Sequence, residues 1–243
     1  MIPLELEIDK EGLLYYKNEN ITSLNPLLID NRKIDEDRYY QHSFYSFPST
    51  DEYIIKYCCT VFTKKEIKII KEMLLKLKEK QNDLPNIDFP IGYFIERKKL
   101  AGIIVKYYKN GVSCDNVIEK GDIEALGKYY YHDEDNNHNL FLLLNDYLDL
   151  LYEMFENGIY YLDTNPGNII LDDNKVKIID FDHGYVKFDN KDNCLKSIMW
   201  GFNYLLKYIN RYYYNYELSI DACKDFDESK KYLKKLENSI HKR

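Results

Sequence analysis

Cysteine, arginine, glycine and long apolar runs are all sparse in this 243-residue chain, and each shortage excludes something. The five cysteines (Cys58, Cys59, Cys114, Cys194 and Cys223) are odd in number and form no CxxC pair or Cys/His cluster. A disulfide framework and a zinc site are therefore not expected, and the thiols read as the reduced cysteines of a cytoplasmic protein. The longest apolar run, residues 140–144, falls far short of the roughly 20 residues a membrane-spanning helix needs. The first ten residues, MIPLELEIDK, lack the basic and apolar regions of a secretory signal. Arginine occurs only five times and the net charge is −7, so a general nucleic-acid-binding face is not expected.

What is present has an ordinary globular balance, 45% hydrophobic and 31% charged. The length suits one large domain or two lobes of about 100 residues each. Tyrosine, asparagine and lysine are abundant, the mix that an A+T-rich coding sequence gives. The Tyr212-Tyr213-Tyr214 tract accordingly reads as packing rather than as a ligand site.

Residues 1–60 read as short extended pieces. Residues 4–8 alternate, 24–29 are apolar, and 39–47 with 52–59 form a hairpin about the turn Pro48-Ser49-Thr50-Asp51. Thr63 followed by Glu66 is a capping-box pattern. Ile67, Ile70, Met73, Leu74 and Leu77 then make one helical face, which fades at Gln81-Asn82-Asp83. Residues 91–96 and 100–107 read as two strands about Arg97-Lys98-Lys99. Beyond them the chain is mainly helical, at 139–156 with a C-cap at Asn157-Gly158, at 194–208 and at 229–239. Two short strands, 168–171 and 175–180, flank the turn Asp172-Asp173-Asn174. The expected fold class is α+β. A small β-rich lobe with one main helix covers residues 1–108, and a reduced helical lobe covers 109–243.

The chemistry-bearing stretch is residues 158–184, GIYYLDTNPGNIILDDNKVKIIDFDHG. Asp163 and Asn168 sit five apart in a Pro-Gly loop after a long helix, and Asp180 ends an apolar strand. Phosphoryl transfer to a hydroxyl needs a carboxylate to orient the attacking oxygen and accept its proton. It also needs hard oxygen ligands for Mg²⁺ beside the nucleotide phosphates. A carboxylate, an amide and a second carboxylate on adjoining hairpin segments meet both needs. Singly, these residues read as turn formers and a strand-end cap; the full pattern carries the chemical reading.

On these residues the segment resembles the catalytic and metal-binding loops of the protein-kinase-like superfamily, HRDxxxxN and DFG. They read here as Tyr161-Leu162-Asp163-Thr164-Asn165-Pro166-Gly167-Asn168 and Asp180-Phe181-Asp182. The resemblance implies a bilobal kinase-like fold, Asp163 as catalytic base or substrate-orienting residue, and Asn168 and Asp180 as Mg²⁺ ligands. Upstream, Lys56 in Tyr53-Ile54-Ile55-Lys56 is similar to the VAIK lysine that grips the α- and β-phosphates, a role that suits a compact cation on a long stem. The resemblance implies a glutamate partner for Lys56 on the following helix. Glu72 is the preferred candidate and Glu66 its rival, since Leu84-Pro85-Asn86-Ile87 looks like the HPNI stretch after that helix. It also implies that backbone groups around Lys106, Tyr107 and Tyr108 bind adenine. It covers roughly residues 25–205 and is densest over 155–184.

The departures from the family pattern bear on function. No GxGxxG occurs, and no glycine lies between residues 13 and 91, so an unusual phosphate-covering loop is expected, such as the polar turn at 31–37. Leu162 replaces the HRD arginine, Asp182 replaces the DFG glycine, and no APE motif follows. A full activation segment and an activation-loop phosphorylation switch are not expected. The Pro-Gly-Asn loop and the Asp-Phe-Asp ending look more like aminoglycoside and choline phosphotransferases, and Asn165 stands where Ser/Thr kinases place a lysine. The expected activity is ATP- and Mg²⁺-dependent phosphotransfer, with Mn²⁺ as the alternative ion. A protein hydroxyl is favoured over a small-molecule hydroxyl as acceptor because the C-terminal lobe is short. A pseudokinase binding module is the non-enzymatic alternative. The acidic and His-bearing tract at 132–138 reads as a solvated loop in preference to a metal site, His183 as a turn cap in preference to a substrate contact, and Lys230, Lys231, Lys234 and Lys235 as the wet face of a helix.

Overall fold

Strand-forming residues in the first part of the chain give a sheet whose two faces differ in character. The computed structural model describes residues 4–27, 42–58, 62–120, 136–172, 175–181, 186–188, 190–209 and 223–240. Its strands are β1 (Glu7–Ile8), β2 (Leu14–Asn18), β3 (Pro26–Leu27), β4 (His42–Ser46), β5 (Tyr53–Cys58), β6 (Gly92–Glu96) and β7 (Lys99–Lys106). They form one seven-stranded sheet in the order β1-β2-β6-β7-β5-β4-β3. All pairings are antiparallel except β2 with β6, which is parallel from Leu14 opposite Gly92 to Asn18 opposite Glu96.

Side chains alternate between the faces of a strand. Ile55 therefore faces a core shared with Tyr16, Ile21, Leu24, Phe47, Phe94 and Ile104. Lys56 faces the other way, in register with Ile103 and through it with Tyr93. Helix α1 (Lys64–Lys80) covers that second face, because its Lys71 lies 4.6 Å above the Tyr93 ring. The capping box expected at the start of α1 is present, with Thr63 and Glu66 bonded reciprocally. Ile70, Met73, Leu74 and Leu77 are the buried stripe.

The turn between β1 and β2 is tied to α1. Asp9 accepts the N–H groups of Glu11 and Leu13 at 3.0 and 2.9 Å. Its other oxygen accepts Lys71 Nζ at 2.7 Å and the Tyr93 hydroxyl at 2.8 Å. Burial alone would raise the Asp9 carboxyl, but the bonds from Lys71, Tyr93 and Leu13 outweigh it and hold the group well below the usual carboxylate range. Burial and the bond to Asp9 push the Tyr93 phenol up to about 12.

The second unit is built on α3 (Asn136–Glu156), with α2 (Cys114–Lys120), α4 (Lys191–Ile209) and α5 (Phe226–Ile240). A small sheet has the order β11-β10-β8, from β8 (Val112–Ser113), β10 (Ile169–Asp172) and β11 (Lys175–Ile178). A two-stranded ribbon pairs β9 (Tyr160–Tyr161) with β12 (Val186–Lys187). Helix α5 docks on α3 through Phe226, whose ring lies 5.2 Å from Tyr152 and 5.4 Å from Phe155, and through Lys230, 2.9 Å from Asp149.

The chain is thus of mixed α+β class, with five helices among the described residues. No helix among them is long and apolar enough to cross a membrane. Residues 1–82 with 88–109 form one compact unit, and 83–87 with 110–243 form the other. The expected break lay between 108 and 109. The 83–87 segment was not expected to leave its sequence neighbours; Leu84 and Ile87 within it are buried. The turn at 31–37, Cys59, residues 132–135, Asp182, His183 and the tract 212–214 lie outside the described residues.

Candidate functional site

Helix α3 ends where the sequence marks it. Gly158 takes a left-handed φ of +76° and donates its N–H to Phe155 O at 3.0 Å, which closes the helix and turns the chain toward β9. Pairing of β9 with β12 fixes Tyr160 and Tyr161, and Asp163 follows two residues after Tyr161. Asn165 caps a short 3₁₀ turn (Pro166–Asn168), its side chain accepting the Gly167 N–H at 2.9 Å. The turn brings Asn168 back onto Asp163, and Asn168 Nδ2 donates to Asp163 Oδ2 at 2.8 Å. With its NH₂ end on Asp163, the amide keeps Oδ1 as its acceptor end.

The β10–β11 hairpin then returns the chain to the same loop. Ile169 pairs with Ile178, and Ile179 donates its N–H to Asn168 O at 2.9 Å. Asp180 follows at φ +70°, a left-handed conformation uncommon for a residue with a Cβ. The loop is also seated from α4. A Cβ placed on Gly201 would lie 1.5 Å from Thr164 Oγ1 and 2.5 Å from Thr164 Cβ, so only glycine admits the buried Thr164 there. Beneath the loop, Tyr161 is fully buried and donates its hydroxyl to Ile179 O at 2.7 Å. Burial, then the neighbouring Tyr147, Asp163 and Asp180, raise its phenol well above the ordinary value. Both carboxylates therefore act on one buried hydroxyl.

Two carboxylates and an amide oxygen are hard donors of the kind Mg²⁺ takes when phosphate and water supply the rest of its shell. Among the described residues, no group of three or more His, Cys, Asp or Glu side chains could hold a metal by itself.

In the first unit, Lys56 is only 6% exposed. Glu72 is not brought to it. The Glu72 side chain is 57% exposed and pairs with Lys68, one helical turn back, at 3.6 Å. The physical reason is the helical period: Glu72 lies off the stripe of Ile70, Met73 and Leu77, whereas Glu66 lies on it, half-buried. Glu66 also closes the capping box, its Oε2 accepting the Thr63 N–H at 2.6 Å. In the segment implied to bind adenine, the Tyr107 N–H is spent on Glu52 O at 2.8 Å. The side chains of Lys106 and Tyr108 both turn to Asp88, at 3.4 and 2.8 Å.

The sequence pattern gives Tyr161 no role beyond its place in the loop motif, and gives Gly201 none. A glycine inside the apolar helical pattern of 194–208 was the available signal for a close approach. No family model matches the chain, and no curated protein matches it.

Proposed function

We propose that the chain is an ATP-dependent phosphotransferase of protein-kinase-like fold that moves the γ-phosphoryl group to a hydroxyl, with a protein side chain as the favoured acceptor. The observation that carries this reading is the 2.8 Å bond from Asn168 to Asp163, in a loop whose backbone is tied through Ile179 to the residue before Asp180. Asn168 orients Asp163 by occupying Oδ2. Asp163 then holds the acceptor hydroxyl and takes its proton as the acceptor oxygen bonds to the γ-phosphorus. The bond to the bridging oxygen breaks, and ADP leaves with that electron pair. Mg²⁺, or Mn²⁺, neutralises phosphate charge when bound, and Asp180 with Asn168 Oδ1 would hold it. Lys56 supplies a cation for the α- and β-phosphates. Glu66 replaces Glu72 as its proposed partner on α1, because Glu66 shares the buried stripe. The backbone of Lys106 and Tyr108 is proposed for adenine in preference to the Tyr107 N–H.

The test is transfer of label from ATP radiolabelled on the γ-phosphate, with Mg²⁺ or Mn²⁺, against protein and small-molecule acceptor panels. Label on protein is expected. Label in the small-molecule fraction would move the activity to that acceptor class. Nucleotide binding without transfer would make the chain a binding module. Asp163→Asn should cut turnover by roughly 10²–10⁴-fold while leaving Mg²⁺–ATP binding intact. Asp180→Asn should weaken the extra stabilisation that Mg²⁺ gives to ATP binding. The opposite pattern would refute the two roles.

A further inference from the structure

Helix α4 turns two large aromatic side chains to solvent. At about 100° per residue, Lys196, Trp200, Tyr204 and Lys207 fall within one arc of about 80°. All four are exposed, Trp200 at 61% and Tyr204 at 45%. The other side of the helix fills the core with Ile198, Met199, Phe202, Leu205 and Leu206, so the aromatic pair contributes little to packing. The two rings stack on each other, with centroids 5.9 Å apart and planes 15° apart. Helix α5 gives the contrast, because its exposed residues include Asp227, Lys231, Lys234 and Lys235, charges of both signs and no aromatic ring. From residue 193 to 209, α4 carries two lysines and no acidic residue, in a chain of net charge −7.

We propose that this face of α4 docks an acidic segment of a partner protein, with an aromatic or proline side chain seated on Trp200 and Tyr204 and carboxylates reaching Lys196 and Lys207. Tryptophan and tyrosine give large, rigid contact area for little conformational entropy. The flanking lysines are the charge complement of an acidic chain. They lie eleven residues apart on the helix, about 16 Å, which an extended peptide spans with about five residues. A second copy of this face does not fit it, since a self-complementary contact brings lysines against lysines. A bilayer does not fit it, since no aliphatic side chain is exposed on this arc among the described residues. Single-stranded nucleic acid needs a continuous basic track, and two lysines do not make one. The proposal is independent of the phosphotransferase reading.

The experiment measures binding to the full chain by fluorescence anisotropy. The probes are labelled nonapeptides with two glutamates five positions apart and phenylalanine, tyrosine or proline between them, and the same peptides with lysine for glutamate. At least one acidic peptide should bind, and its affinity should fall as salt is raised. Trp200→Ala with Tyr204→Ala should weaken it at least about tenfold. Lys196→Glu with Lys207→Glu should weaken it about tenfold at low salt and less at high salt. These positions are exposed, so unchanged circular dichroism is expected in both variants. No binding by any acidic peptide, equal binding of the lysine peptides, or wild-type affinity in both variants would overturn the proposal. A labelled oligouridine 12-mer or phosphatidylserine vesicles bound more tightly, and lost in the same variants, would overturn it in favour of those ligands. A dimer in sedimentation that the aromatic variant abolishes would overturn it in favour of self-association.

Discussion

Replacing Asp9 with asparagine should destabilise the first unit by about 2–4 kcal/mol at neutral pH. Asparagine keeps one carbonyl oxygen, so the N–H groups of Glu11 and Leu13 retain their acceptor. The second oxygen becomes an NH₂ group, which faces Lys71 Nζ at 2.7 Å and the Tyr93 hydroxyl at 2.8 Å and can accept from neither. Two hydrogen bonds to a charged acceptor are lost, each contributing about 1.5–3 kcal/mol. Lys71 keeps Glu11 at 2.8 Å, a partly exposed partner, which brings the total below the roughly 3–6 kcal/mol of the two bonds, to about 2–4 kcal/mol. The melting temperature should fall by about 4–16 °C. The pH dependence has a definite sign. The folded Asp9 carboxyl lies below its ordinary value of 3.8, so its stabilisation is present above about pH 4 and fades as the pH falls. Denaturant titrations of both proteins at a series of pH values should show the widest gap near neutrality and a narrowing one in acid. A gap under about 0.5 kcal/mol at pH 7, or one that widens in acid, would refute the reasoning.

Three further comparisons, built from five substitutions, test other parts of the structure by denaturation. Gly201→Ala gains helix propensity but drives a Cβ into Thr164, and should cost about 1–3 kcal/mol net; adding Thr164→Gly removes the clashing atoms and should recover much of it, whereas a stabilised Gly201→Ala would show that Thr164 is not seated there. Glu66→Ala should cost about 0.5–2 kcal/mol through the cap, while Glu72→Ala should stay within about 0.5 kcal/mol; equal losses would sink the assignment of faces on α1. Lys98 sits at φ +67° in the turn between β6 and β7, and Lys98→Gly should stabilise by up to about 1 kcal/mol, or else the lysine side chain supports the turn in a way its conformation does not reveal.

What the sequence disclosed about the fold follows the range of the interactions involved. The Thr63–Glu66 box, the stripe of α1 and the Gly158 cap each depend on residues within one or two turns, and all three stand as expected. Helix α3 begins at Asn136, where 139 was expected, and α4 begins at Lys191, where 194 was expected, because polar residues open both and apolar periodicity is silent there. Helix α2 has seven residues, too few to show a period. The turn at Arg97-Lys98 has positive φ at both residues, the geometry of a type I′ turn, without the Asn-Gly signature that usually announces it. The parallel pairing of β2 with β6 joins strands separated by most of the first unit. No local pattern encodes it, and the bonds from Asp9 to Lys71 and Tyr93 follow from it.

The candidate site divides on the same line, with one instructive exception. Asp163, Asn168 and Asp180 were legible because a short loop and a hairpin bring them together, and backbone bonds over a few residues complete the arrangement. Tyr161 and Gly201 could not be weighed that way, since each matters through a contact with a distant segment. Glu72 is the exception. Its exposure was legible, and the spacing of a family pattern overrode it. At about 100° per residue, Glu66 stands one turn before Ile70 on the buried stripe, whereas Glu72, two residues after Ile70, points about 200° away from it. A carboxylate meant for a lysine on the face beneath α1 has to share the stripe that α1 lays on that face. The helical period therefore places Glu66 inward and Glu72 in solvent, and the 57% exposure of Glu72 beside its pairing with Lys68 is what that period requires.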